Sequence, residues 1–209
     1  MRKSAAYGSS MVPALLLLFL LMWPGTGSTA GEESGRNSAG DENIRFFAHT
    51  GYVEFVSRAP LLEFTGSSEQ LNGLIDFGTQ TLDFFVDLET LDTRNRRRDR
   101  DMRRNYLETH RYPFAEFTGR FTEPVPAVLK EQTPVTVEGR FTMREIPRDI
   151  RVEGFLTPEA DGIRVTASWE IRLEDFNIDR PRIVFYELSE VQRVSINILL
   201  KPETDADSP

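Results

Sequence analysis

The sequence predicts an all-β domain of about eight antiparallel strands, closed as a barrel or stacked as a sandwich, with one helix inserted at about residues 93–108. Three observations carry that expectation. Apolar and polar side chains alternate with period two, which places successive side chains on opposite faces of a strand. A single arginine-rich stretch breaks the period. The joints between strands are short and rich in turn-forming residues, as in meandering hairpins.

In chain order, residues 45–57 and 71–77 supply two strands. Leu82, Phe84, Val86 and Leu88 alternate with Asp83, Asp87 and Glu89, Phe85 being the exception. From Asp92 to Thr109 the chain is rich in arginine, with Asp92 or Thr93 placed to cap a helix and Pro113 beyond its end. Met102 and Tyr106 stand four apart, a thin apolar stripe suited to a helix lying across one end of a barrel. Residues 114–122 form the next strand. Val135, Val137 and Phe141 oppose Thr136, Glu138, Arg140 and Thr142, and residues 148–157 follow. Pro158-Glu159-Ala160-Asp161-Gly162 is a short connection into the strongest strand, in which Ile163, Val165, Ala167, Trp169, Ile171 and Leu173 alternate with polar residues. Val194, Ile196, Ile198 and Leu200 close the series.

Outside this core, residues 1–30 read as a secretory signal: Arg2 and Lys3 start it, residues 12–23 are apolar, and Ser28-Thr29-Ala30 is a small-residue cleavage site. The apolar run is shorter than the ~20 residues of a spanning helix and contains Pro13, so cleavage before Gly31 is expected rather than anchoring. Residues 31–43 read as a solvated linker, residues 44–201 as the folded domain, and residues 202–209 as an acidic disordered tail.

Composition excludes several functions. There is no cysteine, hence no disulfide, zinc-thiolate site or thiol nucleophile. His49 and His110 are the two imidazoles, too few and too far apart for a metal cluster, and no Gly-x-Ser-x-Gly elbow is present. No metal, no cofactor and no enzymatic activity are therefore expected. With 33 acidic and 25 basic residues the net charge is −8; removing Arg2 and Lys3 with the leader leaves 23 basic groups and a charge of −10. That balance argues against nucleic acid, or an anionic membrane, as the main partner. The arginine cluster, Arg94, Arg96, Arg97, Arg98, Arg100, Arg103 and Arg104, reads either as a receiver of a phosphate or acidic headgroup or as a solvated face. For the second reading, Arg97–Asp101 and Asp99–Arg103 are favourably spaced helical pairs.

Fifteen phenylalanines are the most informative residue class, because several fall on inward phases. In a closed eight-stranded barrel the inward set either fills the interior or lines a slot for one apolar ligand. Strand phase assigns Phe84, Val86, Leu88, Phe141, Trp169, Ile171, Ile196 and Ile198 to that lining. Residues 176–188 are greasy but aperiodic around Pro181, which suits a cover over the barrel end and places Phe176, Phe185 and Tyr186 at a cavity mouth.

The ordered set of local patterns resembles the YceI-like family of polyisoprenoid-binding proteins. The block Phe85-Val86-Asp87-Leu88-Glu89-Thr90-Leu91-Asp92-Thr93 is followed by Arg98-Asp99-Arg100-Asp101-Met102-Arg103 and then Tyr112-Pro113-Phe114-Ala115-Glu116-Phe117. These are similar to the family's turn-terminated strand, its Arg-Asp helix and its Tyr-Pro strand start. Phe64-Thr65-Gly66 and Leu71-Asn72-Gly73-Leu74-Ile75-Asp76 resemble its paired glycine-containing strands. The likeness spans residues 44–200. It departs at Arg144-Glu145-Ile146-Pro147 and at Gly51-Tyr52-Val53-Glu54-Phe55, where other turn and strand residues are common in the family.

The resemblance implies an extended lipocalin-like eight-stranded barrel with a helix inserted midway, and an apolar cavity holding a polyisoprenoid, isoprenoid quinone or similar lipid. It also implies a periplasmic or secreted location, in agreement with the leader. Arg or Tyr near the rim is expected to read a ligand headgroup. The competing reading is a filled structural or protein-interaction barrel of the envelope without a lipid, and a homodimer is one assembly open to either.

Overall fold

Closure of the sheet on itself is what gives the alternating pattern an inside and an outside. The computed structural model describes residues 44–180, 182–183 and 186–203, all within one compact unit spanning 39–209. The proposed leader and linker lie outside the described residues. The strands are β1 (Arg45–Ala48), β2 (Tyr52–Ala59), β3 (Leu62–Ser68), β4 (Leu71–Asp76), β5 (Thr81–Asp87), β6 (Phe114–Phe121), β7 (Thr133–Met143), β8 (Ile146–Glu159), β9 (Gly162–Arg172), β10 (Arg182–Ile183), β11 (Tyr186–Glu187) and β12 (Val191–Pro202).

All pairings are antiparallel. Each neighbour pair from β4 to β9 is a hairpin-type contact, β9 pairs with β12, and β12 closes the wall onto both β1 and β2. β1 and β2 are in effect one strand, and β3 and β4 another. A single register runs through both halves, from Arg45↔Asp76 to Ala48↔Gly73 and on from Val53↔Ser68 to Ala59↔Leu62. Counted so, the wall has the eight strands that the alternation predicts. The second half of the first hairpin, β3, is a strand that alternation alone did not reveal, because Leu62, Phe64 and Gly66 give it little inward bulk.

The break between β1 and β2 falls at Gly51. Phe46↔Pro202 and Asn197↔Tyr52 differ in register by one residue, so the strand slips along β12 there. A Cβ on Gly51 would stand 2.5 Å from Ile198 Cγ1, so only glycine lets the two strands approach.

The joints are tight. β8 and β9 are joined by Ala160-Asp161 alone, and β7 and β8 by Arg144-Glu145. Both residues of the second turn have positive φ, 52° and 59°, the left-handed pair that matches strand twist in a two-residue hairpin. That conformation costs a non-glycine residue about 1–2 kcal/mol. Arg144 offsets it by reaching Glu108 at 3.3 Å and the carbonyl of Asn177.

The helix is shorter and later than predicted. α1 spans Arg96–Asp101 and continues as a wider π-type turn over Met102–Leu107, ended by Glu108 in a left-handed conformation. Its cap is Asn95, whose Oδ1 accepts from the Arg97 and Arg98 amides at 3.1 and 3.2 Å, not Asp92 or Thr93. Thr93 instead gives its amide and hydroxyl to the buried Asp99 carboxylate at 2.9 and 2.6 Å. The chain also stays ordered past the proposed start of the acidic tail: Pro202 belongs to β12, and Glu203 is tied to Arg45 through both its amide (2.8 Å) and its carboxylate (2.9 Å).

Gly119 and Gly139 face each other across β6 and β7, with the Phe117 ring covering both. A Cβ on Gly139 would sit 2.5 Å from the Gly119 Cα. Gly139→Val is expected to destabilise the fold by about 1–3 kcal/mol, the usual cost of forcing extra atoms into a packed place. The effect is read as a lower urea midpoint at unchanged slope.

Candidate functional site

Inward-facing side chains close one end of the barrel and stand apart at the other. At the closed end Phe46 meets Phe77 edge-on at 5.6 Å, Phe77 stacks near Phe121 at 6.1 Å, and Ile75, Ile163, Ile198 and Leu200 fill the remainder. Towards the other end the walls enclose a cavity of about 540 Å³. That volume falls in the range of small-molecule sites, about 300–1,000 Å³.

The wall is mostly apolar, with Ser57, Thr166 and Gln192 also reaching it and the indole N–H of Trp169 buried without a hydrogen-bond partner among the described residues. Leu82, Phe84 and Val86 come from β5, Phe141 and Met143 from β7, Val152 and Leu156 from β8, Val165 to Ile171 on alternate positions from β9, and Val194 and Ile196 from β12. Each is there because period two turns it inward. α1 and its π-type extension cross the open end, contributing Met102, Tyr106 and Leu107 to the roof and Asn95, Arg97, Arg98 and Asp101 to the rim. Opposite them, Leu173, Ile178 and Leu188 complete the mouth. On β2 Tyr52 donates its hydroxyl to Glu54 at 2.8 Å, which holds the phenol above its ordinary pKa, and at the rim Asp101 accepts from Asn105 at 2.7 Å.

Strand phase fixes the face of a side chain but not its depth. Phe84, Val86, Leu88, Phe141, Trp169, Ile171 and Ile196 border the cavity. Ile198 shares their face but lies a step below, packed against Gly51 and Gly73 in the closed end. Phe176 was expected at the mouth and is instead 1% exposed, edge-on to Phe141 at 5.6 Å in a short 3-10 turn, Leu173–Phe176. The reason is a split in the wall. β8 and β9 pair only from Gly154 to Glu159, and above Ala167 the two strands diverge. The turn fills that gap, with Asp175 4.0 Å from Arg148 and Trp169 edge-on to Phe141 at 6.1 Å. Phe185 lies outside the described residues, and Tyr186 forms part of β11. Reasoning from strands alone missed Met102, Tyr106, Ile178 and Leu188; the four-residue spacing of the first two was their signal.

The arginine run divides by helical phase. Arg98 turns to the barrel, its guanidinium 3.9 Å above the Phe64 ring and bonded to the Thr93 hydroxyl and carbonyl at 2.8 Å. Arg103 holds the Leu91 carbonyl at 2.6 Å and Glu89 at 3.8 Å. Neither of the expected helical ion pairs forms, since Asp99 is drawn to Thr93 and Asp101 to Asn105. Among the described residues no group of His, Asp and Glu is arranged to hold a metal ion.

Truncating the filler of the split separates packing from lining. Phe176→Ala is expected to cost about 3–5 kcal/mol of stability, as for any fully buried phenylalanine. Calorimetric or urea unfolding of the purified variant checks this.

Residues 45–201 match the family model described as the YceI-like domain. Among solved structures, the chain is similar to a polyisoprenoid binding domain from Saccharophagus degradans, at TM-score 0.65 and 18% identity over 76% of this chain and 98% of that one. It is also similar to BcnA of Burkholderia cenocepacia, at TM-score 0.60 and 12% identity over 74% and 96% of the two chains. A third is the YCEI protein of Campylobacter jejuni, at TM-score 0.53 and 19% identity over 67% and 85%. No curated protein sequence matches the chain. With three quarters of its length inside the family model and a closed eight-stranded barrel around an apolar cavity, the chain belongs to the YceI-like domain family.

Proposed function

We propose that the protein is an exported, non-enzymatic carrier that shelters one chain-like isoprenoid lipid in its barrel. The observation that carries this is the apolar hollow of about 540 Å³ with its charged groups confined to the rim. A hydrocarbon chain leaving water gains about 0.8 kcal/mol per buried methylene. A ligand too long for the hollow leaves its remainder and headgroup at the rim, beside Arg97, Arg98 and Asp101. The family's solved polyisoprenoid-binding member supports this choice of ligand class, and the leader read at residues 1–30 supports a periplasmic or secreted location.

Organic extraction of the purified protein followed by mass spectrometry tests the reading. A stoichiometric prenyl lipid is the expected result, with Gly31 as the first residue of protein recovered from periplasm or medium. No lipid from several lipid-rich expression conditions leaves a filled or interaction barrel as the better account. Trp169 supplies a direct assay, since the other tryptophan, Trp23, lies in the leader. Ala167→Phe and Val137→Phe, which each push a ring into the cavity, are expected to weaken isoprenoid binding at least about tenfold, equivalent to about 1.4 kcal/mol. Titration of Trp169 emission measures it, with the thermal midpoint as the control for folding.

A further inference from the structure

The rim of the barrel joins two features that cavity binding does not use. One is a row of cations. Arg96, Arg100 and Arg104 repeat at four-residue intervals along α1 and its extension, so they share one face, and all three are exposed. Among the described residues their guanidinium groups meet no carboxylate, and the nearby acids are engaged elsewhere: Asp99 with Thr93, Asp101 with Asn105, and Glu89 with Thr109 and Arg103. The other is an apolar tip. The turn between β2 and β3 carries Leu61, 81% exposed, beside Leu62, which also borders the cavity mouth. Leu62 and Arg97 border the same opening, and Phe64 of the tip hairpin packs under Arg98 of the helix. The arginine row itself lies on the helix face turned from the cavity, where it lines a second hollow with Glu89, Asp99, Thr109 and His110, so cations and leucines flank the same end of the barrel.

We infer that this end of the barrel docks on an anionic phospholipid surface, the arginine face against the headgroups and the Leu61-Leu62 tip inserted among them. Charge complementarity favours that occupant over a neutral one. Helix and tip together combine a basic patch with apolar insertion, the two weak signals that jointly hold a peripheral protein to a membrane. The net charge, −10 without Arg2 and Lys3, does not oppose it at physiological salt, where charges beyond the Debye length of about 8 Å are screened and the surface feels the local patch. No helix among the described residues is long and apolar enough to cross a bilayer, so the contact is superficial. Docking at this end would aim the mouth at the bilayer, whatever fills the cavity.

Co-sedimentation of residues 31–209, which contain the whole compact unit, with extruded vesicles of phosphatidylcholine, with and without phosphatidylglycerol, tests the inference. Binding is expected to phosphatidylglycerol vesicles at physiological salt and to fall as salt rises above it. Each arginine near such a surface is worth about fivefold in partitioning, so Arg96→Glu/Arg100→Glu/Arg104→Glu is expected to lower it by about a hundredfold or more. Leu61→Ser/Leu62→Ser is expected to weaken binding to the same vesicles at the same salt. Lys130→Glu/Lys201→Glu, at the closed end, is expected to leave partitioning unchanged. Circular dichroism confirms that the variants fold. Equal binding to neutral vesicles overturns the inference, as does a triple variant that binds like the parent. A parent that ignores both vesicles also overturns it and leaves the patch to an acidic polypeptide.

Discussion

The last strand serves two neighbours, and the hollow exists because of that. β12 hydrogen-bonds β9 on one side and, on the other, first β2 and then β1, so the sheet has no free edge along most of its length. Once closed, an eight-stranded wall obliges every second side chain to point inward, and those side chains cannot reach across the full diameter unless they are large. Phe46, Phe77 and Phe121 meet ring to ring at one end and close it. Higher up, Phe84 lies over Gly73, Phe117 over Gly119 and Gly139, and Phe141 turns to Trp169 and Phe176, so the rings there pack along the wall and leave space between. The cavity is thus a consequence of how bulk is directed along a face that geometry makes apolar.

The two ends are held by different physics. The closed end depends on apolar contact and on glycine allowing close approach, as at Gly51 and Gly73 beneath Ile198 and Phe84. The open end depends on polar ties between segments that are not strands. Thr93, Asp99 and Arg98 tie the start of α1 to itself and Arg98 rests on the Phe64 ring of β3, while Glu108, Arg144 and Asn177 bind its end to the β7–β8 turn and to the segment that fills the split wall. Ties of this kind leave the roof a separate layer from the wall, and a separable roof is what a site that admits a lipid chain needs.

Much of this was legible from period two, and the exceptions have physical causes. Alternation reports the face of a strand, so it set Ile196 and Ile198 together; depth depends on where the closed end stops, which is a property of neighbouring glycines and rings far away in sequence. Phe176 was legible as apolar and aperiodic, but its burial follows from the divergence of β8 and β9, a pairing failure that neither strand's own sequence announces. The helix cap shifted from Asp92 or Thr93 to Asn95 because the first two had better partners, Asp92 in a bridge to Ser67 and Thr93 in the Asp99 carboxylate. β3 was overlooked for the opposite reason, since it carries too few inward apolar side chains to show a period.

The arginine run shows most clearly why residue counts stop short of function. Seven like charges within eleven positions read as one feature, and the choice between anion receiver and solvated face is posed for the run as a whole. Helical phase dissolves that choice. Arg98 and Arg103 face the barrel and act as structural donors, one on an aromatic ring and a threonine, the other on a backbone carbonyl. Arg96, Arg100 and Arg104 face away and keep their charge unspent. The same residue type is therefore scaffold at one phase and interaction surface at the next, and the division is set by which helix positions lie over β3. A charge balance taken over the whole chain averages these together with acids on the far side of the barrel, where screening has already removed them from the problem.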